Sequence, residues 1–313
     1  MRILVLGAGA LGGYFGGRLV EAGAAEVTFL VRPARQAALA RNGLRIESPF
    51  GGWQGPLTTV TAEDLRPGWD AVLLSCKAYD LEEAIAAIRP ALDARTAVLP
   101  VLNGLLHIAQ LNEVFGAARV LGGLAKVQAT LTSESSVRQL NEWRWIFFGE
   151  QDGTISPRVL ALETAFSQAR GVEAEAVSDI LPRMWEKLVH LGTSAIGTVL
   201  LRANVGEIVR GGGAAFLHRV LERNAAIAAA AGFRMRPAFL EEFRTLFADP
   251  ASLYGTSMLR DLEAGGRIET DHILGFLLEA ALRAGVPSEI HEAAFLHAKA
   301  YEARRAAGRL AGR

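Results

Sequence analysis

What this sequence has little of narrows its function first. Cys76 is the only cysteine among 313 residues, so no internal disulfide can form and no thiolate cage for zinc can be built. That suits a reducing cytoplasm, the expected location. There is no excess of charge of either sign, since 33 Lys and Arg balance 33 Asp and Glu. A nucleic acid or an anionic membrane surface needs a positive excess to displace counterions or meet lipid phosphate, so neither is an expected partner. Any anion site must be local. Long apolar runs are missing too: none reaches the roughly 18 to 20 uninterrupted residues that span a bilayer. The 6 histidines show no H-E-x-x-H or other close ligand spacing, so no metal is expected. "GTSAIG" at 192–197 is not the G-x-S-x-G elbow of a serine hydrolase, and it lies inside a helical pattern.

What is present begins with "MRILVLGAGALGGYFGGRLVEAG". Read as a secretory signal, its apolar run is too short and too interrupted by glycine. Read as a strand and a turn, it is coherent. Ile3, Leu4, Val5 and Leu6 form a short apolar run that stops at glycine, as a buried parallel strand does. Gly7-Ala8-Gly9-Ala10-Leu11-Gly12 then fits G-x-G-x-x-G. In that motif Gly7 makes the tight turn, Gly9 lets a pyrophosphate approach the backbone, and Gly12 lets the following helix sit close to the strand. A helix to Glu21, an ending at Gly23 and a second strand over 26–31 complete a βαβ unit. An NAD enzyme carries an acid at the end of that second strand. Here "FLVRPAR" puts Arg32 and Arg35 there, which suits the 2′-phosphate of NADPH.

Strand-like and helical runs continue to alternate through "DAVLLSCKAY" (70–79), "DLEEAIAAIRPAL" (80–92) and "TAVLPVLNG" (96–104), which is doubly wound α/β logic. Cys76 falls within the first of these strands. Lys77 and Asn103 stand at strand exits, where such sheets bind ligands. Each also has a plain alternative: a snorkelling surface lysine, and an Asn-Gly turn residue. Residues 119–149 read as two neighbouring strands joined by a polar turn at 132–136. From the mid-170s the periodicity is helical, giving an expected division into a Rossmann-type NADP-binding domain (1–175) and an all-helical substrate and dimerisation domain (176–313). The Arg-rich tail reads as frayed and solvated.

Carbonyl reduction needs a hydride donor, a partner for the developing alkoxide and a proton source. Lys187 lies in a long helix among Trp185, Leu188, Val189 and Leu191, where partial burial would make its ammonium a better acid; the alternative is a charge on a solvent stripe. Glu269 in "GRIETDHILGF" lies at or just before a helix start, where a carboxylate is favoured electrostatically in any case. Ser257 in "GTSMLRDL" fits a substrate-carboxylate contact or, on sequence alone, a helix cap.

With these residues assembled, the chain resembles the ketopantoate reductase family, the NADPH-dependent 2-dehydropantoate 2-reductases of pantothenate synthesis. The likeness rests on "GAGALG", "LVR", "CKAYD", "LNG", "WEKL", "SMLRD" and "IETDHILG", in that order along nearly the whole chain. It implies that Gly7, Ala8, Gly9, Ala10, Leu11, Gly12, Arg32, Lys77 and Asn103 hold NADPH and the near side of the substrate. It implies Lys187 as proton donor, with Glu269 beside it in catalysis, and Ser257, Glu269, Asn103 and Asn204 as substrate contacts. It also departs from the family: Leu191, Ala195 and Tyr254 occupy positions where asparagines are typical. Losing buried hydrogen-bonding groups shifts substrate preference. The expected activity is reduction of ketopantoate to pantoate. The alternatives are a more hydrophobic 2-keto acid, or an NADP(H)-binding sensor without turnover. The helical domain leaves room for a homodimer, with no pattern to separate such a face from core.

Overall fold

The computed structural model describes residues 1–132 and 136–310. The centre of the expected turn at 132–136 and the last residues of the tail lie outside the described residues. The chain divides into two compact units: Met1–Leu102 with His107–Leu181, and Asn103–Leu106 with Pro182–Arg313.

The first unit opens with β1 (Arg2–Leu6), α1 (Ala10–Ala22), β2 (Glu26–Leu30), α2 (Pro33–Asn42), β3 (Leu44–Glu47), β4 (Trp53–Gly55) and β5 (Thr58–Val60). It continues with β6 (Ala71–Leu74), α3 (Leu81–Ile88), β7 (Ala97–Pro100), α4 (Leu106–Phe115), β8 (Gly122–Leu131), β9 (Ser136–Gly149), α5 (Pro157–Ser167) and β10 (Glu173–Ala176). One sheet runs β5-β2-β1-β6-β7, with every pairing parallel. Ile3, Leu4 and Val5 are buried, as a central strand covered on both faces must be. This is a Rossmann-like sheet in its expected strand order. A second sheet centres on β9, whose first residues pair in parallel with β3 and whose last pair with β10, while β8 runs antiparallel to it. Phe15 of α1 meets Phe166 of α5 edge to face at 6.2 Å.

Several local expectations are corrected. β6 ends at Leu74, whose carbonyl accepts from Val101 N at 2.9 Å where the ladder closes. Cys76 therefore lies past the strand, not inside it. The expected helix at 80–92 is α-helical only to Ile88 and closes as a 3₁₀ turn over Arg89–Ala91, since Pro90 cannot donate into an α-helical ladder. Residues 44–60, unassigned by periodicity, supply β3, β4 and β5.

The second unit is helical: most of α6 (Ile180–Leu201), then α7 (Val205–Arg210), α8 (Ala214–Ala230), α9 (Pro237–Leu246), α10 (Ser257–Glu263), α11 (Phe276–Ala284) and α12 (Glu289–Ala306). The division between units falls in the first turn of α6 rather than after residue 175. The pattern at 271–285 is not one α-helix, because it begins with a π turn over Asp271–Gly275, a local widening common at functional sites. The middle of α6 is buried and carries polar side chains: Thr193, Ser194 and Thr198 are all inaccessible. Thr193 Oγ1 donates to the Val189 carbonyl and accepts from Asn224 Nδ2 at 3.0 Å. The Asn224 oxygen accepts from His291 Nε2 at 2.8 Å. Thr198 bonds Thr256 at 3.0 Å. Among the described residues, no helix is long and apolar enough to cross a membrane.

Candidate active site

The glycine turn is built by backbone. Gly7 takes φ +78°, a left-handed conformation costly for other residues, and its N–H donates to the Leu30 carbonyl at 2.8 Å. Gly9 is the N-cap of α1, with no side-chain cap and no acid in the first turn. The free first-turn N–H groups and the helix dipole are therefore left for an anion. A Cβ added at Gly9 meets nothing within 4 Å, whereas one at Gly12 would lie 2.6 Å from both the Gly7 oxygen and Ser75 Oγ. The turn is thus open where a diphosphate would approach and closed where the helix seats on the strands. Ala8 is buried, while Ala10 and Leu11 are half-buried. These features fit a dinucleotide.

The two arginines after β2 differ. Arg32 is exposed and pairs with Glu83 at 2.6 Å, and that hydrogen bond raises its pKa. Arg35 is half-buried and donates to the Ala8 carbonyl at 2.7 Å, inside the glycine turn. Burial lowers its pKa. Of the pair, Arg35 is the one brought onto the turn. Lys77 is half-buried and opens the 3₁₀ turn Ala78–Asp80 just past β6, among the carboxyl ends of the parallel strands.

The second unit gathers most of the remaining candidates. Asn103 precedes Gly104, whose φ is +84° and whose added Cβ would sit 3.1 Å from the His272 carbonyl. The Asn103 loop therefore abuts the π turn that Glu269 precedes. Glu269 is buried, as are Thr270 and His272, and the Glu269 carbonyl accepts from Ile273 N at 3.2 Å. Burial pushes the His272 pKa down against the opposing pull of Glu269 and Asp271. Lys187 is half-buried on α6. Its neighbours hold that helix in place: Trp185 stacks on Phe233 at 5.6 Å, and Glu186 accepts from Arg236 Nε and Nη2, each at 2.6 Å.

Two expected substrate contacts sit at helix starts, in different roles. Thr256, not Ser257, caps α10, accepting from Leu259 N at 3.1 Å. The capping expectation for Ser257 is thereby overturned, because the chain enters the helix one residue earlier and Ser257 is its first residue. Asn204 caps α7 in a reciprocal box with Glu207, so its side-chain oxygen is occupied by a backbone N–H.

Residues that sequence reasoning passed over lie beside these. The His190 ring stacks on Phe243 at 4.1 Å and lies 5.4 Å from the Tyr254 ring. Burial pushes the Tyr254 pKa up to about 12, and Ser194 Oγ donates to the His190 carbonyl at 2.9 Å. The available signal was spacing: His190 and Ser194 follow Lys187 at the three- and seven-residue steps of one helical face.

Residues 3–153 match the family model described as "Ketopantoate reductase PanE/ApbA", and residues 179–302 match its C-terminal counterpart. The chain belongs to the ketopantoate reductase family. It is accordingly an oxidoreductase acting on CH–OH and keto groups, with a Rossmann-like domain followed by a helical one. An uncharacterized oxidoreductase of Bacillus subtilis, YkpB, is 34% identical over 307 residues, covering 97% of this chain and 99% of the relative. The crystal structure of a 2-dehydropantoate 2-reductase from Methylococcus capsulatus superposes with a TM-score of 0.86 at 27% identity, covering 97% of this chain and 98% of that one. The structure of a D-mandelate dehydrogenase with NADH and anilino(oxo)acetate has a TM-score of 0.84 at 21% identity, covering 98% and 99%. This last likeness is one of fold. Ketopantoate reductases are thus the relatives against which the site is read.

Proposed function

We propose that the protein is an NADPH-dependent reductase of 2-keto acids, with ketopantoate, the substrate of its family, the first to test. The observation that carries this reading is the glycine turn: an uncapped helix N-terminus, open at Gly9, with Arg35 bonded to the Ala8 carbonyl. Arg35, with Arg32 on the exposed side, favours a cofactor bearing a 2′-phosphate, and Lys77 lies past the neighbouring strand.

Bound NADPH supplies a hydride to the keto carbon. The Lys187 ammonium polarises the keto oxygen and gives it a proton as the C=O π bond opens, so the oxygen stays on the former keto carbon as a hydroxyl. The substrate gains two electrons and two hydrogens, and Lys187 regains its proton from water. Ser257 and Asn103 donate hydrogen bonds to the substrate carboxylate, and Glu269 accepts one from a substrate hydroxyl. Asn204 has only its amide N–H left to offer.

The test is NADPH oxidation with ketopantoate and other 2-keto acids, on wild type and Lys187→Ala. The variant should lose about 10²–10⁴-fold in kcat while NADPH affinity is kept. Binding of NADPH without turnover of any 2-keto acid by wild type would overturn the reading in favour of a sensor. Arg35→Ala should narrow the preference for NADPH over NADH more than Arg32→Ala does. Equal effects would overturn the assignment of Arg35.

A further inference from the structure

Resting on that reading of the cofactor, we propose that Glu83 is a specificity-determining residue: its carboxylate competes with the 2′-phosphate of NADPH for Arg32, and so sets how far the protein prefers NADPH over NADH. Strand order supplies the geometry. In the parallel sheet β1 lies between β2 and β6, and all three run the same way. Arg32 follows the end of β2, while Glu83 follows the end of β6, in the first turn of α3. Their bond at 2.6 Å therefore spans the carboxyl end of β1, where the glycine turn begins. The adenosine ribose of a dinucleotide held by such a turn lies beside the residues that follow β2. The ion pair stands where the 2′-phosphate must come.

The Arg32 and Glu83 side chains are 78% and 64% exposed, so water and salt leave the pair weakly held. Asp80, just before α3, pulls on the same guanidinium with less force. A phosphate that meets a guanidinium in two parallel hydrogen bonds is the stronger partner. It takes Arg32 from Glu83 and leaves the carboxylate facing its own negative charge. NADH carries a hydroxyl at that position and has no charge to trade with Arg32. Glu83 thus weakens NADPH and spares NADH, and specificity is the difference between the two affinities. A purely structural tie between α3 and the end of β2 would show instead as lost stability with an unchanged cofactor ratio.

The test titrates NADPH and NADH, followed by fluorescence, against wild type, Glu83→Gln, Arg32→Ala and the double variant, with thermal unfolding as the control for folding. Glu83→Gln should tighten NADPH by about threefold or more, with NADH moving by less than about twofold. In the Arg32→Ala background the same substitution should gain less, because only repulsion of the phosphate is left to relieve. Conversely, Arg32→Ala should cost more NADPH affinity once Glu83 is gone than in its presence. An NADPH affinity unchanged or lowered by Glu83→Gln, an equal gain for NADH, or a gain undiminished without Arg32 would each overturn the inference and leave the reductase reading standing. Wild type that binds no NADPH would overturn that reading and this inference with it.

Discussion

The glycine turn and the α6 region stand on different foundations. The turn is main chain throughout: Gly7 in a left-handed conformation, an open position at Gly9, and a contact at Gly12 that admits no side chain. The α6 region is made by side chains brought together from distant positions. Thr198 meets Thr256, and Thr193 reaches His291 through Asn224. A backbone site is encoded in consecutive residues and tolerates little substitution. A side-chain site depends on buried polar partners, each of which must be satisfied at once.

The sharpest test of that contrast is pH. Burial lowers the His291 pKa from 6.5 to about 4, so between those values the unfolded chain takes up a proton that the folded network refuses. Stability should be full above the upper value and fall as pH drops towards the lower, by up to roughly 3 kcal/mol. Urea unfolding across this range should show the loss, and His291→Gln should flatten it. An unchanged slope in the variant would break the claim that this network holds α6.

A smaller effect separates two glycines of one motif. Gly12→Ala should cost about 1–3 kcal/mol, because its Cβ would press on backbone. Gly9→Ala should cost within about 1 kcal/mol of stability, as an alanine N-cap does, yet weaken NADPH binding. Thermal unfolding paired with NADPH titration checks both, and equal stability losses would remove the distinction between packing and ligand glycines.

The smallest effect lies at α10. Thr256→Ala should lose about 1 kcal/mol as a missing cap. Ser257→Ala should stay within about 0.5 kcal/mol of wild type while raising KM for the keto acid. A Ser257→Ala loss as large as that of Thr256→Ala would return the capping role to the serine.

Much of this was legible beforehand. The strand, turn and helix at 2–22 follow from an apolar run ending in glycines, and the helical second half follows from apolar spacing. Residues 44–60 were not legible, because β3 to β5 are short strands whose partners, β9 and β2, lie elsewhere in the chain. The π turn before α11 was invisible for a similar reason. Its sequence reads as ordinary helix, and its setting beside Gly104 is a long-range contact. Position favoured Arg32 over Arg35, whereas the structure pairs Arg32 with Glu83 and bonds Arg35 to the Ala8 carbonyl.

The sequence by itself determined the Rossmann-like turn, the helical second half and the family, because glycine conformation and apolar period act over a few consecutive residues. Tertiary structure alone decided that Thr256 caps α10, that Arg35 bonds the turn, and that the His190 ring stacks on Phe243 beside Tyr254. Hydrogen bonds and ring contacts between residues far apart in the chain depend on distance and orientation, which local pattern does not carry.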